Sequence, residues 1–102
     1  MNQFDSPHPG KTLKLLILDE RKITITEFAK KIQISRPIIT NICNGKASIT
    51  YDVAIRLGIV LGTGPDLWIK MQNNYDYHQA KKKFAKKKLD LKPLDDLHIE
   101  TA

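Results

Sequence analysis

Apolar residues recur three and four positions apart through most of this chain, and nowhere do they alternate with polar ones as a strand requires. Pro9-Gly10 ends an extended lead. In KTLKLLILDE, Leu13, Leu16 and Ile17 then fall at helical spacing, which predicts a first helix with these three residues inward. The next signal is Thr24-Ile25-Thr26-Glu27. A threonine hydroxyl there caps free amides of the helix start, and the glutamate three residues on reaches back to it, a capping box. Phe28, Ala29 and Ile32 supply the inner face of this second helix, which is about two turns long and ends near Gln33.

The stretch ISRPIITNICNGK follows, with a proline inside an apolar-rich segment. If Ser35 is the N-cap, Arg36 takes the first helical position and Pro37 the second. Proline is tolerated there because first-turn amides have no intrahelical partner to lose. Ile39, Ile42 and Cys43 form the buried stripe, and Asn44-Gly45 supplies a left-handed stop. Thr50 caps a fourth helix with Asp52 against its positive end, and Val53, Ala54, Leu57, Val60 and Leu61 are expected inward. Gly58 within it is expected where helices pack closely, and Gly62 ends it. Thr63 with Asp66 reads as a second capping box opening a longer helix, with Leu67, Trp68, Met71 and Tyr75 as its stripe. Beyond Lys88 the residues LDLKPLDDLHIETA hold no steady period and read as a loose tail. The prediction is an all-α domain of five helices over residues 1–80, with a lysine-rich helix extension and tail over 81–102.

Composition narrows the function. The 102 residues suit one domain, and 17 Lys and Arg against 11 Asp and Glu leave a net charge of +6. Half of that excess lies in the last 22 residues, where KKKFAKKK places six lysines among residues 81–88. A basic balance suits a polyanion, and a solvated tail accounts for the run equally well. Tyr77, Ala80 and Phe84 form a second apolar stripe near it, offset from the first, which suggests a dimer partner or another protein. The single cysteine, Cys43, fits a reducing compartment. The N-terminus shows no signal peptide, and no apolar run approaches the roughly 20 residues of a membrane span. A cytoplasmic protein is expected. His8, His78 and His98 are scattered from Cys43, so no metal site is expected. Gly62-Thr63-Gly64 follows a helix and lacks a phosphate-loop lysine, and no catalytic constellation can be assembled. Neither a cofactor nor a small-molecule ligand is anticipated.

With Ile39 and Ile42 inward, the third helix turns Arg36, Pro37, Thr40, Asn41 and Asn44 outward. A short helix joined to it through a tight turn at Gln33-Ile34 makes a helix-turn-helix, whose second helix fits the DNA major groove. Arginine pairs with guanine and asparagine with adenine, while Ser35, Asn44 and Lys46 are suited to phosphates.

The run from Thr24 to Asp76 resembles the phage-repressor-like helix-turn-helix class. Within that class HPGK, the NGK-x-x-IT connection and LGT-x-P-D-x-W-x-x-x-Q-x-x-Y-D resemble the HigA antitoxins, over roughly residues 8–78. The resemblance implies a homodimer that binds operator DNA, represses its own operon and neutralises HigB, a RelE-like mRNA endonuclease. It assigns base reading to Arg36, Pro37 and Asn41, and phosphate contact to Ser35, Asn44 and Lys46. Two features depart from the common pattern: Ile25 stands where many relatives carry a phosphate-touching glutamine, and Gln33 stands where the turn often has glycine. Pro37 has no side-chain donor, so its base position is read by contact alone, for instance with a thymine methyl. A solitary regulator without a toxin, or an RNA-binding adaptor using the lysines, are the alternatives.

Overall fold

The structure, a computed structural model, describes residues 6–95. Five helices fold without a strand among these residues: α1 (Pro9–Thr12, continuing directly as a π-helical stretch, Leu13–Leu18), α2 (Ile25–Ile32), α3 (Arg36–Cys43), α4 (Tyr51–Leu61) and α5 (Asp66–Ala85). One core joins all five, with Leu13, Leu18, Phe28, Ile39, Ile42, Leu57 and Trp68 almost fully enclosed.

The first helix departs from the expected face. Leu13 and Leu18 are both 0% exposed, Ile17 is half-buried, and Leu16 stands 69% exposed. The cause is the wider turn. The Asp19 amide donates to the Lys14 carbonyl (2.9 Å) and the Ile23 amide to that of Leu18 (2.8 Å), both five residues back. Residues five apart then share a face, so Leu18 replaces Leu16 inside, and Lys14 pairs with Asp19 on the outside.

The capping box of α2 forms as expected. The Glu27 amide donates to Thr24 Oγ1 (3.1 Å) and the Thr24 amide to Glu27 Oε1 (3.3 Å). Gln33 ends α2 in the left-handed region (φ 59°), where a non-glycine residue is strained. Arg56 holds that strained end from α4, its guanidinium donating to the carbonyls of Ile32 (3.2 Å) and Gln33 (2.6 Å). Ile25 packs against the core instead of offering a polar contact.

In α4 the Val53 amide donates to the Thr50 hydroxyl (3.3 Å), as the cap predicts. Val53, Ala54 and Leu57 are buried and Leu61 is half-buried, but Val60 is exposed because Gly58 takes the inward position beside Leu57. A Cβ on Gly58 would lie 2.6 Å from the backbone of Gly64 and Pro65, so α4 touches the turn into α5. That turn also corrects a second expectation. Thr63 does not cap α5; its hydroxyl accepts from Trp68 Nε1 (3.0 Å) and donates to the Gly64 carbonyl (3.1 Å). Trp68 is 1% exposed, as a core residue should be, while Leu67 faces out at 46%. Past Asp76, α5 leaves the domain. Lysines 81–83 and 86–88 and all residues to 95 are exposed, and residues 86–95 form no helix. The remainder of the tail and the first five residues lie outside the described residues.

Candidate nucleic-acid interface

The candidate interface is built by α2 and α3. Burial of Ile39, Ile42 and Cys43 fixes the roll of α3 about its axis. Given that roll, Ser35, Arg36, Pro37, Asn41, Asn44 and Lys46 are exposed or half-exposed, and Thr40 is half-exposed. Arg36, Pro37, Thr40 and Asn41 line one shallow concavity of 330 Å³, and Ser35 and Arg36 border a neighbouring depression shared with Thr26 and Lys30 of α2. Four of the seven residues singled out from sequence therefore share one concave face at the N-terminal part of α3. Asn44 and Lys46 occupy the turn at its other end, where the Lys46 amide donates to the Asn41 carbonyl (2.8 Å).

Ser35 does not cap α3 as its position suggested; it takes the extended N-cap conformation without a side-chain hydrogen bond to the helix. Pro37 at the second helical position removes one free amide from that turn. The stop at the far end is Gly45 (φ 75°), with Asn44 still at φ −85°.

Sequence reasoning missed the residues that hold this helix in place. His8 caps α1, its Nδ1 accepting from the Gly10 amide (2.9 Å), and it is 5% exposed. Its ring meets Tyr75 of α5 edge to face, 4.8 Å between centroids. Burial lowers the His8 pKa, with Lys11 acting in the same direction and the Asp76 carboxylate opposing. Gly10 lies so close to α3 that a Cβ there would sit 1.7 Å from the Ile42 carbonyl oxygen. Gln72 of α5, 5% exposed, accepts from the Ile49 amide (2.8 Å) and donates to Asp76 Oδ1 (2.9 Å). It satisfies a buried amide in the α3–α4 connection that no helix serves. The signal for these residues lay in HPGK and WxxxQxxYD. Both motifs are fasteners around the C-terminal end of α3. Cys43 is buried on the same helix, and burial pushes its thiol up.

Among the described residues no group of three His, Cys, Asp or Glu side chains is gathered for a metal ion, and no helix is long and apolar enough to cross a membrane.

Comparison with known proteins places this geometry. The helix-turn-helix family HTH_3 matches residues 13–68. An uncharacterised HTH-type transcriptional regulator, YddM of Escherichia coli K12, is 32% identical over 80% of this chain and 86% of its own. Antitoxin HigA-1 of Vibrio cholerae is 29% identical over 83% and 80%. Among solved structures, an addiction module antidote protein of the HigA family from Coxiella burnetii superposes with a TM-score of 0.75 at 36% identity, over 80% of this chain and 89% of that one. The Pseudomonas aeruginosa antitoxin HigA, solved with the higBA promoter, superposes with a TM-score of 0.72 at 27% identity, over 83% and 96%. The chain belongs to the helix-turn-helix family, in its XRE-type HigA branch.

Proposed function

We propose that this chain is a DNA-binding antitoxin that binds its operator as a homodimer, represses its own operon and neutralises a HigB-like, RelE-type mRNA endonuclease in the cytoplasm. The observation that carries the reading is the concave, exposed face of Arg36, Pro37, Thr40 and Asn41 on a helix that Gly10 of α1 abuts near its C-terminal end and that follows a turn held by Arg56. Arg36 presents a guanidinium for guanine and Asn41 an amide for adenine, while Pro37 and the Thr40 methyl suit thymine. Ser35, Asn44 and Lys46 flank that face and meet phosphates, which set register without reading sequence. The lysine run over 81–88 adds attraction to the DNA backbone. The antitoxin assignment draws its support from the HigA relatives, one of them solved on promoter DNA.

The test is titration of DNA from upstream of the gene, with random duplex as the control. Arg36→Ala and Asn41→Ala should each weaken operator binding by about 1–3 kcal/mol and random binding far less, with unchanged circular dichroism. Equal losses on both duplexes would remove the base-reading role. Co-expression with the neighbouring small gene should yield a co-purifying complex; a chain that binds operator but captures no product of that gene is a solitary regulator.

A further inference from the structure

Among the described residues, two apolar helix stripes stand uncovered. One is on α4, where Tyr51, Ile55 and Ile59, four residues apart, are 70%, 51% and 77% exposed. The other is on α5, where Tyr77 and Phe84 flank Ala80 over a nearly apolar hollow of 350 Å³. Their electrostatics differ. The only charges on α4 are Asp52 and Arg56, and these pair with each other at 3.0 Å. The α5 stripe is interleaved with Lys81, whose ammonium lies 5.3 Å from the Tyr77 ring centroid, and it runs straight into the rest of the lysine run.

We propose that the Tyr51–Ile55–Ile59 face of α4 is the surface through which two copies of this chain associate. A two-fold interface joins a patch to itself, so whatever charge the patch carries is met by its like. On α5 that would set one lysine run against another. On α4 the charges cancel within each copy, and the apolar stripe is self-complementary. Antiparallel contact of two α4 helices about Ile55 sets Tyr51 against the partner's Ile59, an aromatic ring over an aliphatic side chain, at both ends of the stripe. Three side chains of this size supply on the order of 400 Å² of apolar surface per copy, about half of a standard interface, with the polar rim supplying the rest. The neighbouring row of α4 adjoins α3: Asp52 and Arg56, each one position on from Tyr51 and Ile55, share a 580 Å³ groove with Ser35 and Ile38 at the start of α3. Pairing there holds both reading helices near the two-fold axis, as half-sites about one helical turn apart require. That last consequence rests on the proposed DNA reading; the association itself does not.

The experiment is sedimentation equilibrium of the full chain at micromolar concentration without DNA. Wild type should be a dimer. Ile55→Glu and Ile59→Glu, both at exposed positions, should raise the dimer dissociation constant at least about 100-fold, while helix content by circular dichroism stays the same. Phe84→Glu, on the lysine-rich stripe, should leave the dimer intact. A wild-type monomer, dimeric α4 variants, or dissociation by Phe84→Glu instead would each overturn the assignment. If the α4 stripe took a toxin and not a second copy, both α4 variants would stay dimeric, and the proposal would fall. Operator binding is measured separately, so an α4-mediated dimer that fails to bind DNA refutes the DNA reading and leaves the interface standing.

Discussion

Replacing Gly10 with alanine isolates the joint between α1 and α3. In a free helix this change stabilises by roughly 1 kcal/mol, because alanine has the better propensity. Here the new Cβ would lie 1.7 Å from the Ile42 carbonyl oxygen and 2.5 Å from its carbon. Both are backbone atoms of α3, so no rotamer change relieves the overlap. Carbon and oxygen settle no closer than about 3.3 Å, so α1 and α3 must part by roughly 1.5 Å. Separation loosens the contacts of Pro9 and Leu13, which are enclosed at this end of the core. Overpacking against a rigid neighbour costs about 3 kcal/mol, the upper end of the usual range, leaving about 2 kcal/mol after the propensity gain. For a domain near this size that lowers Tm by about 8–16 °C. Thermal unfolding followed by far-ultraviolet circular dichroism measures it. Gly62→Ala is the control: its φ of 70° strains alanine, but nothing lies within 4 Å of the new Cβ, so about 1 kcal/mol is expected. A Gly10→Ala protein that melts at or above wild type would refute the close-approach argument.

Trp68→Ala should lose about 3–5 kcal/mol, since the indole is enclosed in the core, whereas Trp68→Phe should lose less, chiefly the hydrogen bond to Thr63; denaturant midpoints compare the two, and an Ala variant as stable as wild type would make Trp68 a surface residue. Gln72→Leu strands the buried Ile49 amide and should destabilise by about 1–3 kcal/mol, while Gln72→Glu keeps the acceptor but sets a carboxylate against Asp76 and should improve as Asp76→Asn is added; denaturant midpoints again decide, and a Leu variant as stable as wild type would show the amide is served elsewhere. For His8 the sign follows from its lowered pKa: the fold prefers the neutral ring, so the stabilisation is whole above the unfolded value of 6.5 and is lost as pH falls through the folded one. Tm should therefore drop more steeply below about pH 6.5 in wild type than in His8→Asn, which keeps a capping acceptor without a proton to gain; equal slopes would show that another group carries the pH dependence.

The parts of this fold that sequence made legible are those where one local rule operates. Thr24 with Glu27 leaves a single arrangement for the start of α2, and the spacing of Ile39, Ile42 and Cys43 fixes which side chains of α3 face outward. Where two side chains compete for one role, the pattern does not choose. Leu16 and Leu18 are equally apolar, and only the widened turn decides that Leu18 is enclosed. Thr63 has the spacing of a cap, but the Trp68 indole needs an acceptor in the core and takes the hydroxyl. His8 and Gln72 were hidden for the opposite reason. A polar residue is buried when it serves an unpaired backbone group, and the amides of Gly10 and Ile49 become unpaired only once the helices are placed.

The fourth helix poses the sharpest case. YDVAIRLGIVL is apolar around most of its circumference, so periodicity cannot tell Val60, expected inside and found outside, from the residues that are buried. A helix apolar nearly all round has neighbours on more than one face. The core takes Val53, Ala54 and Leu57, and the turn before α5 takes Gly58, which still leaves Tyr51, Ile55 and Ile59 in water. Large apolar residues at three successive turns are costly to leave exposed in a chain this small. The ambiguity of the pattern is therefore informative: the core takes one side of α4, and the stripe left exposed is the side that the proposed association of two copies would cover.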